Sequence, residues 1–380
     1  MGYQSLPNHE LGERLRQART AEGLTQEDAA ERLGVSRPTL IAIEKGQRAP
    51  QSSELMRLAE IYRIAVSRLL SPSAIHVDFV AKFRAGEMQG GASKARIEAV
   101  ALLSRLAAAA AELEIAVGFQ KRRVYPPEIK IHAKNVEQQA EDAAIQFRHR
   151  LGLGTGPISD LVSMLELELG VWIFVRPLPA KISGVFAYDE KVGACMLLNA
   201  NHPRERRYVT ASHETGHFVG YRAFVEVTSD DEKPLKVEER FCNAFSYALP
   251  MPASGVRQKF LELSREGNTF SPRDLIVMAH HYQVSAEAMC RRLEDLKLLP
   301  SGTWTSLRRR GFSAGDQTRS VLGDRGLQEA FVVPPRLAAM MAEAHERGLY
   351  SEGQLCEKFA LERVELRKLV EAFSPSTEKQ

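Results

Sequence analysis

The spacing of apolar residues changes along the chain and predicts where helices and strands lie. Over residues 9–70, short segments with apolar positions every three or four residues alternate with tight breaks, which is typical of a small helical domain. The alanine-rich run 101–114 keeps a helical period over a longer stretch and is amphipathic enough to pack on a neighbour. We therefore expect a helical domain followed by a connecting helix.

After the break at Pro126 and Pro127, helical and strand patterns alternate. Residues 136–151 and 158–169 have a helical period, whereas three short apolar runs between turn residues predict strands: 171–175, 184–188 and 195–199. Helical patterns then dominate to the C-terminus, except over residues 300–323, where Gly, Ser, Thr and Arg predict a mobile loop or linker. A small sheet among helices indicates an α+β part of the chain.

Length, composition and charge limit the class of protein. At 380 residues the chain is too long for one ordinary core, so two or three domains are expected. It is 44% hydrophobic and 26% charged, which excludes a disordered or fibrous chain. The 51 Lys and Arg against 48 Asp and Glu leave a net charge of +3, so any binding to nucleic acid has to be local.

Neither a membrane segment nor a disulfide framework is predicted. No apolar run approaches the roughly 20 residues of a bilayer helix, and residues 1–10 lack the basic and apolar regions of a signal peptide. We therefore expect a cytoplasmic protein without a membrane partner. The cysteines include no C-x-x-C pair and are interpreted as buried thiols: Cys195, Cys242, Cys290 and Cys356.

The N-terminal segment has the capping signals of two short helices joined by a tight turn. Thr25 is placed to cap one helix, with Asp28 three residues later, and Gly34 ends that helix. Ser36 is placed to cap the next helix, with Pro38 in its first turn. This arrangement predicts a helix-turn-helix with a small apolar core: Ala29, Ala30, Leu33, Val35, Leu40 and Ile43.

A longer pattern covers residues 24–50 and includes this turn. It reads Leu-Thr-Gln-Glu-x-x-Ala-x-x-Leu-Gly-Val-Ser and ends in Glu-x-Gly-x-x-x-Pro, and it resembles the Cro/C1-type (XRE) helix-turn-helix family over about 60 residues. The resemblance implies a homodimer on double-stranded operator DNA, with half-sites about one helical turn apart. It also implies phosphate contacts from Gln26, Lys45 and Arg48 and major-groove contacts from Ser36, Arg37 and Thr39. A helical bundle used for protein contacts is the alternative.

His213, Glu214 and His217 form an H-E-x-x-H motif on a predicted helix. The spacing of four puts both imidazoles on one helical face, where they can share a zinc ion, and it leaves Glu214 beside them to take a proton from water. The motif needs a third ligand, and Glu238 and Glu239 are the first candidates downstream. Two histidines and one carboxylate leave a fourth position for water, which is typical of a hydrolase.

The motif and the helix after it, with Asn243 and Met251, resemble the ImmA/IrrE family of metallopeptidases over residues 137–255. The helix pattern of that family implies that Glu239, rather than Glu238, completes a Zn²⁺ site. A zincin-like fold and peptide hydrolysis, with the glutamate of the motif as catalytic base, follow from the same resemblance.

The same resemblance implies where and on what the peptidase acts. The strand 184–188 becomes the edge of the cleft, where an extended peptide adds by strand pairing on Gly184, Phe186 and Tyr188. An ordinary core strand is the alternative. The family cuts helix-turn-helix repressors under stress or DNA damage, so the expected substrate is a partner repressor or the linker of the chain itself, over residues 71–130.

These features together predict a chain of four parts. They are a helix-turn-helix domain at 1–72, a helical linker at 73–130, a metallopeptidase domain at 131–255 and a helical C-terminal region for partner or substrate contacts at 256–380. We expect a transcription regulator that controls a stress, DNA-damage or mobile-element response by cutting a repressor. The alternatives are a repressor that senses a ligand through its zinc domain without proteolysis, and an antitoxin-type regulator.

Overall fold

The chain forms two compact units, Met1–Phe119 and Gln120–Gln380. The computed structural model describes residues 7–64, 66–70, 75, 77–86, 93–119, 123–229, 236–264, 270–312 and 333–373. Within these residues the first unit is helical, and the second combines helices with one sheet.

The described part of the first unit holds α1 Asn8–Ala21, α2 Gln26–Leu33, α3 Arg37–Glu44, α4 Ser52–Ile61, α5 Val66–Leu70, α6 Phe79–Gly86 and α7 Lys94–Val117. The predicted caps are confirmed. Thr25 and Asp28 form a reciprocal capping box at α2, and Ser36 caps α3. Gly34 ends α2 in the left-handed conformation, with φ at 80°, so Gly34, Val35 and Ser36 make the turn between α2 and α3.

One apolar core holds the helix-turn-helix together. Gly12 lets α1 touch α3, because a Cβ at that position would lie 2.4 Å from the carbonyl oxygen of Ile43. The predicted core residues are buried, apart from a half-buried Val35: Ala29, Ala30, Leu33, Leu40 and Ile43. The predicted linker helix is present as α7, whose buried face is rich in alanine and leucine.

The second unit holds helices α8 Val136–Arg150, α9 Leu161–Met164 with a following π-helical turn Leu165–Leu169, α10 Arg204–Gly220, α11 Val237–Ala248, α12 Ala253–Leu263, α13 Pro272–His281, α14 Ala286–Asp295, α15 Thr303–Arg309, α16 Pro335–Glu346, α17 Glu352–Phe359 and α18 Arg363–Phe373. Its strands are β1 Trp172–Arg176, β2 Ile182–Asp189, β3 Gly193–Asn199 and β4 Glu226–Ser229. The expected class is confirmed: an all-α N-terminal part, an α+β part with a small sheet and a helical C-terminal region.

The sheet has the order β1-β3-β2-β4, with β1 and β4 at its edges. β1 runs parallel to β3, and β2 pairs antiparallel with both β3 and β4. Helices dominate after β3 as expected, and the sequence pattern did not indicate the short strand β4 that follows α10. Part of the predicted loop at 300–323 is helical, since α15 covers Thr303–Arg309. Residues 313–323 of that predicted loop lie outside the described residues.

Helix α10 is the element that joins the layers of the second unit. It packs on β2 and β3 on one side and on α11 on another, and α11 in turn packs on α8. Buried aromatic side chains fill these contacts, with Phe245 of α11 edge-on to Phe147 of α8 at 6.2 Å. No helix in the described ranges combines the length and the apolar composition that a membrane crossing needs.

Candidate metal centre and DNA-reading helices

The two histidines of the H-E-x-x-H motif lie one turn apart on a buried face of α10. Their Nε2 atoms are 3.2 Å apart, and both residues are almost fully buried. Phe186 of β2 stacks on the His217 ring, with 6.2 Å between ring centroids and 16° between planes. The sheet therefore restricts the orientation of the His217 imidazole, so that its Nε2 stays directed at His213.

Glu239 reaches the histidines from the first turn of α11. Its Oε2 lies 3.5 Å from Nε2 of His213, and its Oε1 lies 3.4 Å from Nε2 of His217. The close approach of α11 depends on Gly216, because a Cβ at that position would lie 3.0 Å from Cα of Cys242. The glycine of the motif thus lets the neighbouring helix bring its carboxylate to the imidazoles.

The spacing of these three donor groups fits a zinc ion. Bonds of about 2.0 to 2.1 Å in a tetrahedral site place ligand atoms about 3.3 Å from one another. The three observed separations are 3.2, 3.4 and 3.5 Å. Over the described residues, the one group of three side chains able to hold a metal is His213, His217 and Glu239. A fourth ligand position is therefore left for water or substrate, as in catalytic zinc sites.

Glu214 lies beside this cluster and is completely buried. Thr228 of β4 donates a hydrogen bond of 2.7 Å to its Oε1, whereas its Oε2 has no hydrogen-bond partner among the described residues. Gly184 of β2 leaves room for the carboxylate, because a Cβ there would lie 2.5 Å from Oε1. Burial raises the pKa of Glu214 to about 7. A carboxylate with one fixed and one unpaired oxygen is suited to accept a proton.

The carboxylate of Glu239 is kept ionised by its neighbours. Burial acts to raise its pKa, but the hydrogen bonds from His213 and His217 outweigh that effect and hold the pKa of Glu239 well below its usual range. Metal ligands must be deprotonated; the ionised Glu239 already meets that condition, whereas the two Nε2 atoms have to release their protons when a metal binds.

The strand predicted to receive the substrate is an interior strand. From Gly184 to Phe186, β2 pairs with β3 on one side and β4 on the other, so substrate pairing on that stretch is excluded. The sheet edge next to Glu214 belongs to β4 instead. Tyr188 pairs with β3 but lies beyond the stretch that pairs with β4; it is half-buried, with its ring 6.3 Å from that of Tyr125. Side-chain contacts of Gly184, Phe186 and Tyr188 with a substrate stay a prediction.

The residues predicted to contact DNA phosphates differ in whether their side chains already have a partner within the first unit. Gln26 donates a hydrogen bond of 2.9 Å to Glu44, which also accepts one of 2.7 Å from Arg19. Arg48 forms a 2.9 Å ion pair with Glu54. Lys45, at the end of α3, is exposed. The side chains of Gln26 and Arg48 are thus engaged within the first unit, which the sequence pattern did not indicate.

The predicted major-groove residues lie on the exposed first turn of α3. The hydroxyls of Ser36 and Thr39 are hydrogen-bonded to each other at 2.8 Å. Arg37 has 56% of its side chain exposed and lies 3.6 Å from Glu27. Ser36, Arg37 and Thr39 are therefore brought together on one surface at the start of α3, where a recognition helix presents its side chains to base edges.

Two family models match this chain, one in each unit. A helix-turn-helix model matches residues 15–69, and a peptidase model described as the IrrE N-terminal-like domain matches residues 167–294. Both resemblances inferred from the sequence are confirmed by these matches.

Curated relatives match the N-terminal region. The regulator ImmR of Bacillus subtilis is 34% identical over 65 residues, 17% of this chain and 51% of its own length. The cryptic phage CTXphi repressor RstR of Vibrio cholerae is 32% identical over 65 residues, 17% of this chain and 59% of its own. This chain thus spans about half the length of these two relatives.

A third relative is matched over most of its length. An HTH-type transcriptional regulator of Methanocaldococcus jannaschii is 42% identical over 53 residues, which are 14% of this chain and 80% of the relative. The chain belongs to the HTH-type transcriptional regulators, and its second unit carries an IrrE N-terminal-like peptidase domain.

Proposed function

We propose that this chain is a DNA-binding repressor whose second unit is a zinc-dependent endopeptidase that cuts a repressor protein. The observation that carries the proposal is the convergence of His213, His217 and Glu239 within 4.8 Å, beside the buried Glu214. Three protein ligands and a buried carboxylate form the donor set of a hydrolytic zinc site, not of a structural one with four protein ligands.

The roles of the side chains follow from their contacts. A bound zinc ion would act as a Lewis acid on the scissile carbonyl. Glu214 takes a proton from the attacking water at Oε2 and delivers it to the leaving amine, while Thr228 holds Oε1. Gly184 leaves the space that this carboxylate occupies. The chemistry proposed is therefore peptide hydrolysis, with Glu214 as the base that residues of β4 and β2 hold in position.

The DNA side of the proposal depends on the first unit. Ser36 and Arg37 are exposed at the start of α3, with the half-buried Thr39 beside them, and this surface is suited to base edges. Lys45 is free to contact a phosphate. One relative matched in this region is named a transcriptional repressor, which supports the same role here. We propose that a homodimer binds operator half-sites about one helical turn apart.

Two substrates are compatible with the proposal: a separate repressor, or residues 71–130 of the chain itself. To test this, zinc-loaded protein is incubated in separate reactions with an excess of a tagged Glu214→Gln chain and with a candidate repressor. Intact-mass spectrometry then identifies the fragments of each substrate. Cuts within 71–130 of the tagged chain support self-cleavage between copies, and cuts in the repressor support the partner form.

Glu214→Gln is also the control for the chemistry. It should retain zinc and fold but lose cleavage, because the amide cannot accept the proton. Cleavage by this variant at the parental rate would contradict the proposal. A variant that still regulates its operator normally without any cleavage would instead favour a repressor that senses a ligand.

A further inference from the structure

The second unit contains a cavity of about 510 Å³ next to the first turns of α10. Its floor is formed by Val175 and Leu198, which are register partners near the ends of the parallel strands β1 and β3. Tyr208, Leu161 and the two prolines at 334–335, at the start of α16, form further apolar walls. The volume lies within the range of small-molecule sites, about 300 to 1,000 Å³.

This cavity is distinct from the metal centre because it lies on another face of α10. Arg204 and Tyr208 line the cavity, and each is nine residues before one of the metal ligands, His213 and His217 respectively. At about 100° per residue, nine residues correspond to about 180° around a helix. One helix therefore presents the cavity residues on one face and the metal ligands on the opposite face.

Two cations lie on the cavity side of α10. Arg204 and Arg207 are three residues apart and so share a face. Arg207 uses only Nη1 for its hydrogen bonds among the described residues, to the carbonyls of Ala200 and His202. Its other guanidinium nitrogens are thus available to a ligand.

The cavity lining holds two guanidinium groups and one carboxylate, and among the described residues that carboxylate forms no ion pair with either arginine. Asp160 is engaged as the cap of α9, where it accepts hydrogen bonds of 3.0 Å from the backbone N–H and 2.6 Å from the hydroxyl of Ser163. Apolar walls with an excess of guanidinium groups favour a ligand that is apolar at one end and anionic at the other.

We propose that this cavity binds a small organic anion, with its apolar body on the β1–β3 floor and its carboxylate or phosphate head on Arg204 and Arg207. The planar fork of donors on arginine matches both head groups. The site uses neither Glu214 nor the metal ligands, so it goes beyond the proposed proteolysis and stands or falls separately. Its position, on the opposite face of α10 from the metal ligands, separates it from the peptidase site.

The test is calorimetric titration of the full chain with three probes that share one apolar body: 4-phenylbutyrate, 4-phenylbutyl phosphate and 4-phenylbutanol. We expect at least one anion to bind about tenfold or more tightly than the alcohol, because a hydrogen bond to a charged group contributes more than a neutral one. The tighter anion identifies the head group. Equal binding of all three probes, or no binding of either anion, overturns the proposal.

Variants locate the binding. Arg204→Gln and Arg207→Gln should each weaken the anion about tenfold, whereas Arg206→Gln, on the same turn of α10 but outside the cavity lining, should not. Arg204 is exposed and donates only to Gln283 among the described residues, so Arg204→Gln should leave the fold intact. This variant therefore still tests the site if Arg207→Gln fails to fold. His217→Ala should leave the affinity unchanged. Loss of anion binding in a His217→Ala protein whose tryptophan fluorescence matches that of the folded parent would place the anion at the metal centre and overturn the proposal.

Discussion

At the scale of single residues, the orientation of Glu214 depends on a side chain from another element. Thr228 contributes one hydroxyl from β4, and the 2.7 Å hydrogen bond fixes Oε1 of a carboxylate that has no exposed surface. Without this donor, neither oxygen of Glu214 has a hydrogen-bond partner among the described side chains, and the carboxylate can rotate away from the position needed for proton transfer.

We therefore predict that Thr228→Val lowers kcat for peptide cleavage by roughly tenfold or more, since a hydrogen bond to a charged group is worth about 1.5 to 3 kcal/mol. Zinc content should not change, because Thr228 contacts none of the proposed ligands. Thr228→Ser keeps the hydroxyl and should retain most of the activity. Full activity in Thr228→Val would show that this hydrogen bond does not orient the base.

A second prediction concerns Lys45 at the end of α3. If it contacts a phosphate, Lys45→Ala should reduce the slope of log affinity against log salt by about one for a non-specific duplex, measured by fluorescence anisotropy. Arg63→Ala is the matched control, since Arg63 is 83% exposed and lies outside the two helices of the motif. An equal change in both variants would assign the effect to net charge alone.

Only part of this residue-scale detail could be predicted from the sequence. The shared face of His213 and His217 follows from a spacing of four on one helix. The choice of Glu239 needed a resemblance to a known family, because it depends on how two helices meet. The sequence carries no signal for the contacts of Thr228 and Gly184 with Glu214, since these contacts depend on strand order and register.

At the scale of elements, the metal centre depends on the distance between α10 and α11. By intrinsic helix propensity alone, Gly216→Ala should stabilise α10 by about 1 kcal/mol. The added Cβ, however, would lie 3.0 Å from Cα of Cys242 and would displace α11 together with Glu239. We predict a zinc dissociation constant raised about tenfold or more, measured by competition with a chelating dye.

The control for this prediction is Gly353→Ala. Gly353 lies in α17, and a Cβ there would meet no atom within 4 Å. This variant should keep the parental zinc affinity. If Gly216→Ala also keeps it, the close approach of α10 and α11 is not what positions the carboxylate.

The elements that the pattern missed depend on contacts distant in sequence. β4 has only four residues, and pairing with β2 stabilises it. Helix α15 lies in a stretch whose composition favours a loop. Its first turn is held by Glu294 of α14, which accepts hydrogen bonds from the backbone N–H groups of Gly302 and Trp304. The caps of α2 and α3 were predictable because their signals are local.

At the scale of the whole molecule, metal binding should stabilise the second unit, since all three proposed ligands lie in it. The two tryptophans, Trp172 and Trp304, lie there as well, so tryptophan fluorescence reports unfolding of that unit alone. Zinc at about 100 times its dissociation constant should add about 2.7 kcal/mol to the free energy of unfolding.

A chelator should therefore move the fluorescence transition in urea to lower concentration, and His217→Ala should abolish this effect of the chelator. The capping box at α2 and the core of the first unit involve no metal ligand. A chelator effect that persists in His217→Ala would mean that the stabilising metal is bound elsewhere.

The zinc content per chain of protein purified without chelator tests the proposed metal centre most directly. We predict about one zinc in the parent and in Glu238→Ala, and loss or sharp weakening of zinc binding in His217→Ala and Glu239→Ala. Glu238 is the matched control because it is the adjacent carboxylate on α11. No zinc in the parent after metal is added, or its loss from Glu238→Ala with Glu239→Ala unaffected, would contradict the proposed metal centre.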